Sequence, residues 1–266
     1  MANIVWKRPN WRSKSEAFLI LLHALVIRDI RARYRRSFLG PLWAILQPLI
    51  LMILFSMLRS IVDIPSDGTP YLIFTYSALV PWTFFSNSVV RCGPSVSSNN
   101  ALVKKMALSR EVFPTAAIVT GLFDMAMSAI VLLVMMLYYD TPINASLLWL
   151  LPLVLITTAL AWGTGIAVAS LATYRNDFLF ATPFLMQVWL FATPVMYPLS
   201  SVPEKWLTLY KLNPGTGLIE AYRAVLVAGQ SPDLMLLAQS TAGTVLICAV
   251  ALPLFRIMSQ YFADVL

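Results

Sequence analysis

Residues 147–172 read LLWLLPLVLITTALAWGTGIAVASLA, a run of 26 positions without a charged side chain. A helix needs roughly 20 mostly apolar residues to cross about 30 Å of hydrocarbon, so this stretch is long enough to span a membrane. Five further stretches share its character. Residues 38–58 read FLGPLWAILQPLILMILFSML, and comparable segments lie at 71–90, 113–138, 179–199 and 234–255. The whole composition agrees: 59% of the 266 residues are hydrophobic, 12% are charged, and the mean hydropathy is +0.76. A soluble domain carries about 25% charged residues, and a chain this poor in charge could not coat a soluble fold in polar groups. The sequence predicts an all-α integral membrane protein with six transmembrane helices. Pro48, Pro81, Pro183, Pro194 and Pro253 fall inside predicted spans. Each removes a backbone donor, which neighbours in a bundle can compensate, so kinks are expected there.

Lysine and arginine set the orientation, because cytoplasmic connections retain them in excess. They crowd the segment before the first span at Lys7, Arg8, Arg12, Lys14, Arg28, Arg31, Arg33, Arg35 and Arg36. They recur after the second span at Arg91, Lys104, Lys105 and Arg110, and continue at Arg175 and Arg256. The opposite side holds only Arg59, Lys205, Lys211 and Arg223. Both termini are therefore expected in the cytoplasm, with connections 61–70, 139–146 and 200–233 facing outward. The net charge of +7 is topological on this reading. Nucleic-acid binding is not expected, since no basic motif interleaved with aromatics accompanies it.

Two segments outside the spans have their own pattern. The run AFLILLHALVI at 17–27 is too short to cross a bilayer, has no small-residue cleavage site, and leads into RDIRARYRR. It reads as an interfacial amphipathic helix rather than a signal peptide, with Arg28, Arg31, Arg33, Arg35 and Arg36 reaching towards anionic headgroups. On the outer side, VPEKWLTLYKL is followed by Asn213-Pro214-Gly215, a stop and turn signal, and then by GLIEAYRAVLVAG. Leu218, Tyr222, Val225 and Leu226 recur at helical spacing, and Gly229 suits the position just past a helix end. The pattern predicts a helical hairpin over 203–229 that re-enters the bundle from outside. Asn213, Pro214, Glu220, Tyr222 and Arg223 are its candidate gate residues, with Glu220 and Arg223 spaced to pair.

Recognisable reaction chemistry is missing. No G-x-x-x-x-G-K-[ST] nucleotide loop occurs, and GTGLIE at 215–220 lacks the lysine. A single histidine, His23, and two cysteines, Cys92 and Cys248, exclude a metal site built on several imidazoles and a disulfide scaffold. The chain is not expected to be an enzyme or to hold a metal or cofactor of its own. Asp124, in GLFDMAMSAIV, lies well inside a predicted span, where charge is costly. With no second carboxylate or lysine beside it in sequence, a packing role is expected rather than a proton relay. Residues 100–111 suit a short cytoplasmic amphipathic helix between the second and third spans. Leu102, Val103 and Met106 lie on one side of it and Lys104, Lys105 and Arg110 on the other, with Asn99 and Asn100 placed to cap it.

Four segments, in order, resemble one family. RDIRARYRRSFLGPLWAILQPL (28–49) looks like its interfacial helix entering the first span, and LVPWTFFSNSV (79–89) like its second span. NNALVKKMALSREVFP (99–114) is similar to its cytoplasmic coupling segment, and ATPVMYPLSSVPEKWLTLYKLNPGTGLIEAYRAVLVAG (192–229) to its outer hairpin. The chain resembles the membrane subunit of ABC-2-type exporters, specifically the polysaccharide and teichoic-acid export permeases. The resemblance implies one transmembrane domain over 1–266, with 1–37 cytoplasmic or interfacial and 38–266 the bundle, in the bacterial cytoplasmic (inner) membrane. It implies a homodimer joined to two copies of a separate ATP-binding subunit that holds ATP and magnesium. It implies export of a lipid-linked polysaccharide, of O-antigen, capsule or teichoic-acid type, through a channel between the two copies. Leu102, Val103, Lys104, Lys105, Met106, Arg110 and Glu111 would then couple the permease to the ATPase.

Aromatic rings stack on the apolar faces of sugars without fixing position strongly, which suits a moving polymer. Trp82, Phe84 and Phe85 in the second span and Trp189, Phe191 and Tyr197 in the fifth are candidates to line that channel. The same fold would also serve export of a drug, lipid or other small molecule. A secondary transporter fits less well, because no internal repeat is evident and Asp124 stands alone.

Overall fold

The computed structural model describes residues 14–35, 37–105 and 109–265, and regular structure among them is helical. The helices are α1 (Lys14–Tyr34), α2 (Leu42–Val62), α3 (Tyr71–Cys92), α4 (Asn100–Lys105), α5 (Val112–Tyr138), α6 (Leu150–Tyr174) and α7 (Asp177–Phe191). They continue as α8 (Glu204–Leu212), α9 (Pro214–Leu226), α10 (Leu234–Ser259) and α11 (Phe262–Val265). By length and composition, four stretches can cross a membrane: Leu42–Val62, Val112–Tyr138, Ala145–Tyr174 and Leu234–Ser259. Their exposed faces carry Ile53, Met57, Leu133, Leu151, Leu155, Val245 and Leu246, which is the apolar surface that lipid would cover.

The second predicted span, α3, is also long, at 22 residues, but richer in Tyr, Ser and Thr. It can be so because it is the central helix. Ile73, Tyr76, Ala78, Leu79 and Val89 are fully enclosed, and α2, α5, α6, α7 and α9 pack around it. Gly121 of α5 allows a close approach to α3. A Cβ there would collide with Ser88 Oγ and press on the Phe84 ring at 3.3 Å. α10 packs mainly on α6, and α1 lies along α5.

The fifth predicted span, 179–199, is not one helix. α7 has 15 residues, about 22 Å of rise, and turns occupy 192–197 before the short 3-10 turn Leu199–Ser201. Pro194 therefore sits in a turn, whereas Pro48, Pro81, Pro183 and Pro253 lie inside helices.

Candidate functional site

A charged cluster joins three helices. Arg33 and Tyr34, in the last turn of α1, reach Asp124 in the middle of α5. Arg33 Nη1 donates to Asp124 Oδ2 at 2.5 Å, and the Tyr34 hydroxyl donates to Oδ1 at 2.5 Å. Arg91, at the end of α3, approaches the same Oδ2 at 2.7 Å. The expectation that Asp124 stands alone is corrected: an apolar helix tolerates the carboxylate because two guanidiniums and a phenol surround it. Burial, followed by the bond to Asp124, pushes the Tyr34 phenol above its ordinary value, so it remains a donor. Cavities lie on both sides of the cluster. One, of about 200 Å³, has Arg33, Gln47, Asn87, Arg91 and Asp124 in its wall; the other, of about 230 Å³, has Arg28, Asp29, Arg33, Arg91, Ser98 and Asn99. Gln47 and Asn87 exchange side-chain hydrogen bonds across the first, the shorter at 2.9 Å.

Along α1, Ala17 and Leu25 are buried, and Leu19 and Ile20 face out. Its arginines divide. Arg28 pairs with Asp29 at 2.8 Å and donates to Asn99 Oδ1 at 2.7 Å, Arg33 binds Asp124, and Arg31 and Arg35 are exposed. Arg36 lies outside the described residues.

Of the segment expected to form one helix over 100–111, the described residues show α4 over Asn100–Lys105 and a turn at 110–111. Met106 and the Lys105 side chain lie outside the described residues. The 3-10 turns Gly93–Ser95 and Ser97–Asn99 fold the segment back onto the bundle, so Val103 is buried and Leu102 packs against the core. Val103 is therefore not a free apolar anchor, and Lys104 is exposed. Asn99, expected as a cap, uses its amide on Ser95 O at 2.8 Å and its oxygen on Arg28. Glu111 pairs with Arg256 at 2.9 Å, and the Arg110 guanidinium lies 6.0 Å from the Phe262 ring.

The six channel candidates do not share one surface. Trp82, Phe84 and Phe85 are buried inside the bundle. Phe85 meets Trp189 edge-on at 5.1 Å, and Trp82 meets Phe85 at 5.5 Å. These rings hold α7 to α3. Trp189 Nε1 donates to Asn213 Oδ1 at 2.9 Å, and the Tyr197 hydroxyl donates to Phe191 O at 2.8 Å. Of the six, Phe191 is the ring with an exposed face, at 52%.

The hairpin predicted over 203–229 is α8 and α9, turned at Asn213. Asn213 caps α9 by accepting from Gly215 N at 3.0 Å. Its amide donates to Ala192 O at 3.0 Å and Thr193 Oγ1 at 2.9 Å, so the turn is fastened to the break after α7. Pro214 occupies the first helical position and is buried. Glu220 and Arg223 pair at 2.9 Å, as their spacing predicts. Arg223 is also buried to 6% exposure and stacks over Phe74 at 3.8 Å. It donates to Val195 O at 2.5 Å, Tyr197 O at 3.3 Å and Phe74 O at 3.4 Å. The broken backbone at 192–198 thus takes donors from Arg223 of α9. Tyr222 is buried, its hydroxyl 3.3 Å from Thr157 Oγ1 of α6. α9 is buried along most of its length, while α8 shows Trp206, Leu209 and Leu212 on its surface. The role of Arg91 in the charged cluster and the clasp formed by Arg256 and Phe262 are not evident from local pattern. The former reads as a loop cation and the latter as tail residues.

The model of the family described as ABC-2 type transporter matches residues 20–227. The chain is 33% identical over 251 residues to the O-antigen export system permease protein RfbA of Myxococcus xanthus, covering 92% of this chain and 94% of that one. It is 25% identical over 251 residues to the protein of the same name from Klebsiella pneumoniae, covering 92% and 95%. The polysialic acid transport protein KpsM of Escherichia coli is also 25% identical over 251 residues, covering 92% and 96%. With most of its length matched, the chain belongs to the ABC-2 type transporter family.

Proposed function

We propose that this chain is the membrane-spanning permease subunit of an ATP-driven exporter that moves a lipid-linked polysaccharide across the bacterial inner membrane. The observation that carries the reading is the end-to-end similarity to a protein named as an O-antigen export permease. The polysialic acid transport relative points to the same cargo class. The absence of a phosphate-cradling loop supports a separate ATPase that binds ATP and magnesium.

On this reading α2, α3, α5, α6, α7 and α10 cross the membrane and both termini are cytoplasmic. α7 is short for a span, and the backbone polar groups of the turns that follow it face protein rather than lipid. Two copies form the conduit, because one bundle of this size is filled by its own side chains and closed symmetry supplies a shared axis. Phe191, exposed beside the outer hairpin, is the best placed of the aromatic candidates to meet sugar. The cytoplasmic segment from α4 to Glu111 receives the ATPase, and the α8–α9 hairpin gates the outer mouth. Deleting the gene tests the reading: polymer should disappear from the cell surface and accumulate inside as its lipid-linked form. Normal surface polymer in the deletion strain would reject it.

A further inference from the structure

The Glu111–Arg256 pair joins the proposed coupling segment to a helix that does not adjoin it in sequence. Arg256 Nε donates to Glu111 Oε1 at 2.9 Å from the last turn of α10. A second contact follows within a few residues, where Arg110 lies over the Phe262 ring of α11. Phe262 is itself fully buried, edge-on to Phe255 at 5.5 Å and to Tyr174 at 5.9 Å. The Tyr174 hydroxyl donates to Met258 O at 2.9 Å. α11 also packs on α4. The inner end of α10 is therefore clasped on one side to the coupling segment and on the other to the end of α6.

The outer end of α10 meets the hairpin with equal intimacy. A Cβ on Gly217 of α9 would collide with Ser240 Oγ and with the Leu236 carbonyl oxygen, so the two backbones are in direct contact there. Asp233 caps α10 by accepting from Met235 N at 2.8 Å and Leu236 N at 3.2 Å, which keeps this end helical. Leu236 at this crossing and Arg256 at the clasp lie on one continuous helix, about 30 Å apart along its axis. α5, which leaves the coupling segment directly, does not make the comparable backbone crossing with α9.

We propose that α10 is the rod that links the coupling segment to the outer hairpin, with Arg256 and Phe262 as the positioning residues at its driven end. Movement of the ATPase at residues 109–111 pulls Arg256 through Glu111, and the shift of α10 is delivered to α9 at Gly217. The inference rests on the coupling and gate roles proposed above and specifies the path between them. The ion pair is 64% exposed at Arg256 and is weak by itself; with the buried Phe262 beside it, it sets the register of the contact, and a single charge reversal removes it.

The test uses the assembled permease and ATPase in lipid nanodiscs, with Cys92 and Cys248 replaced by alanine and a reporter Leu209→Cys on α8. Thiol labelling is compared with and without nucleotide, and ATPase retention is measured by co-purification. In the parent, nucleotide changes the labelling rate. Arg256→Glu should shrink that change by about fivefold or more while the ATPase stays bound. Glu111→Arg combined with Arg256→Glu should restore it. If Arg256→Glu does not fold, Arg256→Gln is read in the same way. A full nucleotide response in the Arg256 variant, no recovery in the charge swap, or loss of ATPase binding would each overturn the rod. A parent that shows no response would overturn the gate reading as well, so the two failures are separable.

Discussion

Arg33 of α1 and Asp124 of α5 stand 91 residues apart in the chain and meet at 2.5 Å. Arg91 of α3 completes the contact at 2.7 Å. This cluster fastens the helix expected at the membrane interface to two helices of the bundle interior. Asp124→Asn should leave both guanidiniums short of a counter-charge. Removing one partner from a fully buried pair costs about 3–5 kcal/mol. Arg33 and Arg91 keep 28% and 26% of their surface exposed, so about 2 kcal/mol is expected. A lower melting temperature in detergent and a lower yield follow. Arg33→Ala in the same chain should add less than its single effect, because both variants break one contact. Strict additivity would mean the cluster carries no coupling.

At the α3–α5 crossing, Gly121→Ala should destabilise by about 1–3 kcal/mol, the usual range for overpacking. The new methyl collides with Ser88 Oγ, so Ser88→Ala should recover part of the loss. Thermal melting of the single and double variants measures it. An unaffected single variant would show that the helices separate there at no cost.

Arg223→Lys should loosen the outer hairpin. The guanidinium serves Val195 O, Tyr197 O, Phe74 O and Glu220 at once, and a lysine cannot present donors in that fork. The carbonyls left behind at 192–198 should open to solvent, seen as faster labelling of a Ser200→Cys reporter and reduced export. Retention of the ATPase should be unchanged, since the site lies at the other end of the molecule. Labelling that stays as slow as in the parent would contradict the latch.

The hairpin, its Asn213 turn and the Glu220–Arg223 pair were legible in the sequence because each rests on residues within one or two helical turns. The same holds for the long apolar helices and for most of their boundaries. What could not be read is what depends on distant segments meeting. Asp124 looked solitary because its partners, Arg33 and Arg91, belong to other helices, and both resembled ordinary inner-side cations. Trp82, Phe84 and Phe85 looked free to face a channel because periodicity gives no azimuth to a helix apolar on every side. The structure encloses them, since α3 is surrounded. Residues 100–111 carry an amphipathic pattern, yet the turns Gly93–Ser95 and Ser97–Asn99 rotate Val103 into the core. The break after α7 is invisible to hydropathy, because residues 192–199 remain apolar while their backbone bonds go to α9 and Asn213.

Lys104, exposed on α4, is a cation of the proposed coupling segment that is open to an acidic surface of the ATPase. Lys104→Glu should weaken co-purification of the two subunits, more so at low salt, where exposed charges act over a longer range. It should leave the melting temperature of the permease alone within about 0.5 kcal/mol, as for other surface substitutions. Unchanged co-purification at every salt concentration would remove this segment from the docking surface.

Reconstitution measures export itself. The permease and its ATPase are placed in liposomes carrying lipid-linked polysaccharide, and the polymer on the face away from the ATPase is counted with a polymer-specific lectin or antibody. Adding ATP and magnesium should bring polymer to that face, with neither the permease alone nor the ATPase alone sufficing. ATP turnover by the purified permease alone, or a fully assembled complex that hydrolyses ATP and leaves the polymer where it was, would contradict a polysaccharide export permease driven by a separate ATPase.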